Sequence, residues 1–206
     1  MISWGKKMII AISGLSGCGN TTATHNVAKK TGLRIANYTF HDLAKEKGMS
    51  FYELQEKAKQ EEQYDFILDK KQIEEAEKGD CVIGTRLACW LVDADLRVWL
   101  HASLKERAKR LSVKEENVGK SLKEVKELVK KRDKENAVRY KKLYGVNVGK
   151  YEDVVDLFIN TERYAPEEVA DIIVAASRIL PKKKNRKAAR IAKKIKQIIE
   201  EKTGGN

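Results

Sequence analysis

Cysteine, histidine and proline are scarce in this sequence. Of the 206 residues, three are cysteines, three are histidines and two are prolines. The cysteines, Cys18, Cys81 and Cys89, are odd in number and have no C-x-x-C spacing, which disfavours both a disulfide framework and a zinc site. The histidines are scattered along the chain and form no recognisable metal-binding motif. The scarcity of these residues therefore disfavours a redox or zinc-dependent function.

Long apolar runs are also missing. No stretch approaches the roughly 20 apolar residues that a membrane-spanning helix needs. The apolar run at residues 8–12 is too short for a signal peptide and leads directly into a glycine-rich turn. With 42% hydrophobic residues, the chain can bury the core of one medium-sized domain. We therefore expect a globular, cytoplasmic protein.

Positive charge is concentrated at the C-terminus. The formal net charge is +12, and residues 181–206 hold ten Lys or Arg against two Glu. Residues 186–199 place apolar side chains at helical spacing, with lysines on the opposite face, which predicts a basic amphipathic helix. The apolar positions are Ala188, Ile191, Ala192, Ile195, Ile198 and Ile199.

This C-terminal helix has several possible roles. It can pack on its own domain or on a dimer partner, lie on an anionic membrane, or contact RNA. We favour packing, in a monomer or a homodimer, and place weak nucleic-acid contact second. We treat residues 1–180 as the folded domain and residues 181–206 as a tail, and we expect that domain to fold and function without the tail.

The most informative stretch is at residues 8–25, which read MIIAISGLSGCGNTTATH. An apolar run that ends at a glycine turn and leads into a helical pattern is typical of a phosphate-binding loop, G-x-x-x-x-G-K-[ST]. Glycines and a hydroxyl stand at the required positions, at Gly14, Gly19 and Thr21. The lysine does not, because Asn20 occupies its place.

Such a loop binds phosphate through its backbone. Successive N–H groups form a concave anion site, and the N-terminus of the following helix adds its positive dipole end. The hydroxyl of Thr21 is placed to bind Mg²⁺. We therefore expect ATP and Mg²⁺ to bind here. The nucleotide-binding residues are Gly14, Leu15, Ser16, Gly17, Cys18, Gly19, Asn20, Thr21 and Thr22. Asn20 brings no charge, so another cation must serve or transfer must be slow.

Strand and helix patterns alternate along the chain. Short apolar segments at residues 7–13, 33–36, 81–84, 96–100 and 157–159 predict strands. The segments between them have helical character, including one long polar helix that ends near residue 78 and a charged region at residues 103–144 with a break at Gly119. This order favours an α/β fold with a parallel sheet and helices on both faces.

Several further segments resemble the archaeal type of cytidylate kinase, a branch of the P-loop nucleoside monophosphate kinases. They are FHDLAKEKGMS, RLACWL, RDKENAVRYKKLYGVNV and LFINTERYAPEEV. The resemblance extends from about residue 8 to residue 180. It implies phosphoryl transfer from ATP to CMP, and to dCMP, with Mg²⁺. It also implies a monophosphate-binding arm at about residues 38–78 and a lid at about residues 110–140.

The resemblance also implies roles for individual residues. Arg132 and Arg139 lie two helical turns apart, and with Arg110 they are the candidates to stabilise charge on the transferred phosphoryl group. Arg86 follows a predicted strand, where open α/β sheets bind ligands, and is assigned to the acceptor phosphate or base. The remaining acceptor candidates are His41, Asp65 and Asp69. A solvent-exposed helix face is the competing interpretation of the two aspartates.

Three residues depart from the family pattern. Asn20 replaces the loop lysine, His41 stands where the family commonly has an arginine, and Gly84 stands where many members have a strand-end glutamate. Each change removes a charged side chain from the site. Two alternatives to an active CMP kinase therefore stay open. One is a nucleotide-binding pseudo-kinase or RNA-associated protein, and the other is a kinase with a different acceptor.

Overall fold

The computed structural model describes residues 7–179 and 185–204. The strands are β1 (Ile9–Gly14), β2 (Arg34–Ile35), β3 (Cys81–Gly84), β4 (Leu96–His101) and β5 (Leu157–Asn160). The helices are α1 (Asn20–Thr31), α2 (Phe40–Glu46), α3 (Phe51–Gln60), α4 (Gln63–Glu77), α5 (Ala88–Leu91), α6 (Leu104–Ser112), α7 (Leu122–Tyr144), α8 (Pro166–Ile179) and α9 (Arg186–Thr203). A short 3-10 helix, Glu115–Asn117, lies between α6 and α7.

The five strands form one parallel sheet in the order β2-β3-β1-β4-β5. The strand order reverses at β1, because β2 and β3 lie on one side of it and β4 and β5 on the other. In open α/β sheets, ligands bind at the carboxyl ends of the strands at such a switch point. The loop after β1 therefore occupies the expected binding position, and the predicted fold class is confirmed.

Apolar side chains cover both faces of the sheet. On β1, Ile10 and Ile12 pack into the core beneath α1 and α8, whereas Ala11 faces the opposite core beneath α4 and α5. This alternation follows from the two-residue period of a strand. Helices α2 to α4 have a small core of their own around Leu43 and Leu54. They correspond to the region that the sequence assigns to the monophosphate arm.

Arg97 is the one charged residue within β4, and it is completely buried. Its guanidinium donates to the carbonyl oxygens of Cys89, Val92 and Ala94 at 2.8–3.2 Å. It also reaches a carboxylate oxygen of Asp93 at 3.4 Å. A buried charge is tolerated only when its donors are paired. Arg97 thus fixes the α5 turn against the sheet.

One sequence prediction needs correction, and one helix was missed. The single long polar helix is two helices, α3 and α4, because Glu61 leaves the helical region with φ −120° and ψ 107°. The short helix α5 was not predicted, since four residues give too little periodicity to detect. Helix α3 begins with a capping box, in which the side chains of Ser50 and Glu53 are each bonded to the other's backbone N–H.

Helix α9 is part of the packed structure. It lies against α4 and α5, and its apolar side chains Ala188, Ala192, Ile195 and Ile199 are all buried. Two ion pairs also link α9 to the rest of the domain, one from Lys187 to Asp153 and one from Lys196 to Glu77. The expectation that the C-terminal segment is dispensable for folding does not fit this packing. Of the roles left open, the structure shows packing on its own domain.

None of the described helices combines the length and apolar character that crossing a membrane requires.

The packing of α9 generates a first prediction. Ile195 is 1% exposed in the core beneath the sheet. Replacing a buried isoleucine by alanine removes transfer free energy and leaves a cavity. We expect Ile195→Ala to lower the free energy of unfolding by about 2–4 kcal/mol in urea titrations. The neighbouring Lys194 is exposed, so the control Lys194→Ala should change it by less than about 0.5 kcal/mol. Equal stability of the two variants would contradict the packing of α9.

Candidate active site

The loop after β1 has the backbone of an anion-binding site. Gly19 stands before the first residue of α1 with φ +98°, a conformation that favours glycine. The turn directs the chain into α1, whose N-terminus opens onto a cavity of about 580 Å³. Residues of the loop, the β3 end and the α6 end line this cavity: Gly14, Leu15, Ser16, Gly17, Gly19, Asn20, Thr21, Thr22, Gly84, Thr85, Arg86, Arg110, Leu111, Val113 and Lys114. Cys18, the remaining loop residue, is buried.

Asn20 turns its side chain back onto the loop. Its Nδ2 donates to the carbonyl oxygen of Gly14 at 2.9 Å. Its Oδ1 is buried without a hydrogen-bond partner among the described residues. The side-chain amide therefore stabilises the turn, and it adds no positive charge to the cavity.

Ser16 joins the loop to three other parts of the site. Its hydroxyl accepts from Arg86 at 3.1 Å, and its carbonyl oxygen accepts from Arg107 at 3.1 Å. Its N–H donates to Asp133 at 3.4 Å, and Asp133 also forms a 2.6 Å ion pair with Arg107. The loop is thus connected to the β3 end and to helices α6 and α7. Asp133 lies within the RDKENAVRY segment, but sequence reasoning gave it no role.

Two arginines predicted as site residues lie close together. Arg132 is exposed on α7, and partial desolvation together with the nearby positive charge of Arg86 lowers the pKa of its guanidinium. Like charges repel, so such an arrangement is typical of a place where an anion binds. The Nε of Arg86, the hydroxyl of Thr85 and the Nδ2 of Asn136 are buried without described hydrogen-bond partners. The β3 end and α7 therefore present donors to the space between them.

Arg110 is held between two cavities. Its Nε donates to Glu106 at 2.9 Å, and its two terminal nitrogens donate to the hydroxyl and carbonyl oxygens of Thr161, each at 2.9 Å. The second cavity, of about 250 Å³, lies on the far side of the loop and is lined largely by apolar groups. Its lining includes Cys18, Gly19, Thr22, Leu100, Tyr164, Pro166 and Val169.

Asp65, Asp69 and Arg139 meet between α4 and α7. Arg139 pairs with Asp65 and donates to the carbonyl oxygen of Ala58 at 2.9 Å. The hydroxyl of Tyr144 donates to Asp69 at 2.6 Å. Both aspartates are only 8% exposed, so the alternative of a solvated helix face does not hold.

The buried position of these carboxylates changes their protonation. Burial raises the pKa of Asp69 to about 7, although the hydrogen bond from Tyr144 opposes the shift. Burial also raises the pKa of Asp65, against the opposing effect of Arg139. Tyr140, one turn before Tyr144, has its pKa raised by burial and lowered in part by the nearby Arg86. Tyr140 and Tyr144 were missed at the sequence level. Both tyrosines could have been found from the four-residue spacing of Arg132, Asn136, Tyr140 and Tyr144, which places all four residues on one face of α7.

His41 lies apart from the loop cavity. It is exposed on α2, and its ring stacks on Phe51 with centroids 3.8 Å apart. No described residue of α2 lines the loop cavity. Its assignment to the acceptor phosphate stays a prediction that this geometry does not support.

Thr21 is exposed at the N-terminus of α1 and lines the loop cavity together with Thr85. These hydroxyls suit Mg²⁺, which prefers oxygen ligands and keeps several waters when it arrives with phosphates. No group of three His, Cys, Asp or Glu side chains suited to a metal occurs in the described ranges. A magnesium ion here would therefore depend on phosphate oxygens and water for most of its ligands.

Thr24 on α1 leaves room only for a glycine at position 84. A Cβ at this position would lie 1.9 Å from Thr24 Oγ1, which donates to the carbonyl oxygen of Asn20 at 2.8 Å. We expect Gly84→Ala to destabilise the fold by about 1–3 kcal/mol because nothing can move aside easily. Thr24→Ala removes the hydroxyl, so the double variant should recover part of this loss in urea titrations. Strictly additive effects of the two changes would show that the contact does not matter.

Comparison with known proteins places this geometry in a family. The cytidylate kinase-like family matches residues 9–163. The cytidylate kinase of Pyrococcus horikoshii is 40% identical over 173 residues, which are 82% of this chain and 88% of that protein. Cytidylate kinase 2 of Borreliella afzelii is 36% identical over 170 residues, 81% of this chain and 94% of its own length.

Solved structures agree on the fold. Shikimate kinase from Acinetobacter baumannii, in complex with shikimate, is similar with a TM-score of 0.56 at 16% identity, covering 85% of this chain and 97% of its own. Deoxyadenosine kinase from M. mycoides is similar with a TM-score of 0.51 at 17% identity, covering 84% of this chain and all of its own. Because these identities are low, the likeness supports the arrangement of sheet and helices alone. The family match and the relatives nevertheless establish that this chain belongs to the cytidylate kinase-like family.

Proposed function

We propose that the protein transfers a phosphoryl group from ATP to CMP, with dCMP as a second acceptor. The single observation that supports this most is the position of Arg86, which lines the loop cavity and donates to the Ser16 hydroxyl of the phosphate-binding loop at 3.1 Å. Phosphoryl transfer requires positioned cations around charge that spreads over the equatorial oxygens. The relatives that carry the name cytidylate kinase supply the identity of the acceptor.

The polyphosphate of ATP fits the loop cavity. The N–H groups around Gly19 and the dipole of α1 favour its charge. Its base fits the neighbouring apolar cavity, where Tyr164 and Pro166 offer flat surfaces. Bound Mg²⁺, held by Thr21 and the phosphates, would neutralise charge between the outer phosphates. This arrangement points the γ-phosphate toward the β3 end.

The acceptor fits the space between β3, α4 and α7. Arg86 would hold its phosphate, because it stands at the β3 end next to the loop. Asp65 and Asp69, held by Arg139 and Tyr144, form the far wall. We infer that Asp69 is partly protonated near pH 7, since its pKa lies there, and that it serves this wall in both states. Arg132, which feels the charge of Arg86 from α7, would stabilise the group in transfer.

An ADP-release assay with a panel of nucleoside monophosphates tests the proposed function. We expect kcat/KM for CMP and dCMP to exceed that for AMP and UMP by about tenfold or more, the discrimination that a few polar contacts provide. Thr21→Val keeps the shape of the side chain but removes the hydroxyl. It should abolish most turnover, which excludes a contaminating kinase as its source.

Other results of this assay would select the alternatives. Preferred transfer to another acceptor would support a kinase of different specificity. ATP binding without transfer to any acceptor would support a nucleotide-binding pseudo-kinase. Either result would overturn the proposal of CMP kinase activity.

The two arginines of α7 should differ in their kinetic effect. Arg132→Ala should lower kcat by about 100-fold while changing the Kd for ATP little, because the group acts on charge that develops in the transition state. Arg139→Ala should mainly raise KM for CMP, since Arg139 fixes Asp65 in the acceptor wall. Lys134→Ala, a change at an exposed position on the same helix, is the control. Small and equal effects of all three substitutions would show that these arginines are surface charges.

A further inference from the structure

The site lacks the mobile cation of an ordinary phosphate-binding loop. Asn20 stands in the lysine position and is committed to the Gly14 carbonyl oxygen at 2.9 Å. A neutral amide in this place leaves the outer phosphates of ATP without a point charge from the loop. If the enzyme transfers phosphoryl groups at a useful rate, a cation from elsewhere must reach the same space.

Three positively charged side chains line the loop cavity, namely Arg86, Arg110 and Lys114. Arg110 is unsuitable because Glu106 pairs with its charge and Thr161 fixes its terminal nitrogens. Arg86 stands at the β3 end, bonded to Ser16 and close to Arg132. This position faces the acceptor side of the cavity. Lys114 is the cation that remains.

Lys114 lies just beyond the end of α6. Its backbone N–H donates to the carbonyl oxygen of Leu111 at 3.1 Å, which fixes the position of its Cα above the cavity. Its side chain is exposed, and no described carboxylate lies within ion-pair distance of its ammonium. A lysine ammonium is a compact charge on a flexible four-carbon stem. It can therefore reach into the cavity that Asn20 and Thr21 also line.

We propose that Lys114 replaces the missing loop lysine and binds the outer phosphates of ATP from the lid side. This inference rests on the proposed function. The bond between the γ-phosphorus and the β–γ bridging oxygen breaks, and a bond forms from the γ-phosphorus to a phosphate oxygen of the acceptor. The bridging electron pair stays on the β-phosphate of ADP. Lys114 stays protonated and neutralises that oxygen as its charge grows.

The proposal explains how the loop tolerates Asn20. In this arrangement the positive charge comes from the segment after α6, whereas an ordinary loop lysine would supply it from position 20. The backbone N–H groups of the loop still bind phosphate without it. Catalysis then depends on Lys114 only while the amide occupies position 20.

A double-mutant cycle tests this dependence. Lys114→Ala should lower kcat/KM for ATP by about tenfold or more in the natural sequence, because a phosphate-binding charge is lost. The same substitution should cost less than about twofold in the Asn20→Lys background, where the loop supplies the charge again. The Kd for CMP, measured by calorimetry, should stay within about twofold in all four proteins.

Two further variants separate charge from shape. Lys114→Arg should keep most of the activity, whereas Lys114→Met, with a stem of similar length, should behave like Lys114→Ala. They decide the question if Asn20→Lys proves unstable through loss of its bond to Gly14. Lys109→Ala is the matched control, because Lys109 is an exposed lysine on α6 outside the cavity lining. It should leave every constant unchanged.

Equal losses from Lys114→Ala in both backgrounds, or equal activity of the arginine and methionine variants, would overturn the proposal. Binding of Mg²⁺ with a non-hydrolysable ATP analogue separates this failure from failure of the proposed function. If the natural protein transfers phosphate to no acceptor, Lys114→Ala must still weaken that binding and Asn20→Lys must still rescue it. Unchanged binding would refute a role for Lys114.

Discussion

Arg107 is the residue on which the geometry of the site depends. It is 6% exposed, and its guanidinium connects the Ser16 carbonyl oxygen in the loop with Asp133 on α7. A buried charge of this kind must keep its partner, since removal of one member of a buried pair typically costs about 3–5 kcal/mol. The loop, α6 and α7 are therefore held in one arrangement. Any movement of α6 or α7 relative to the loop has to preserve or exchange these contacts.

This constraint divides the arginines of the site into two groups. Arg107, Arg110 and Arg139 are bound to carboxylates and carbonyl oxygens, so they shape the site. The Nε of Arg86 has no hydrogen-bond partner among the described residues, and Arg132 is exposed on α7, so both are available to an anion. An arginine with five donors can serve either purpose, and only its neighbours decide which. Counting arginines in a motif therefore overstates the charge available to phosphate.

The sequence predicted the strands and the loop well because their signals are local. Short apolar runs, a glycine turn and a capping box are each encoded within a few residues, and the structure shows all three. Contacts between distant segments were much harder to predict. Nothing in the sequence near Asp69 shows that Tyr144 lies beside it, or that α9 covers α4. The resemblance supplied residue types for the site, but it did not supply their partners.

Two of the positions that depart from the family pattern, 20 and 84, are neighbours in space. Thr24 bonds the carbonyl oxygen of Asn20 and fills the space that a side chain at position 84 would need. Asn20 in turn bonds the carbonyl oxygen of Gly14. The contacts of Thr24 leave no room for a glutamate at position 84, and they involve only the backbone of residue 20, so they would remain with another side chain there. The neutral amide of Asn20 and the absence of a carboxylate at the β3 end thus have separate physical causes. The first is tied to the bond with Gly14, and the second to the contact between Thr24 and Gly84.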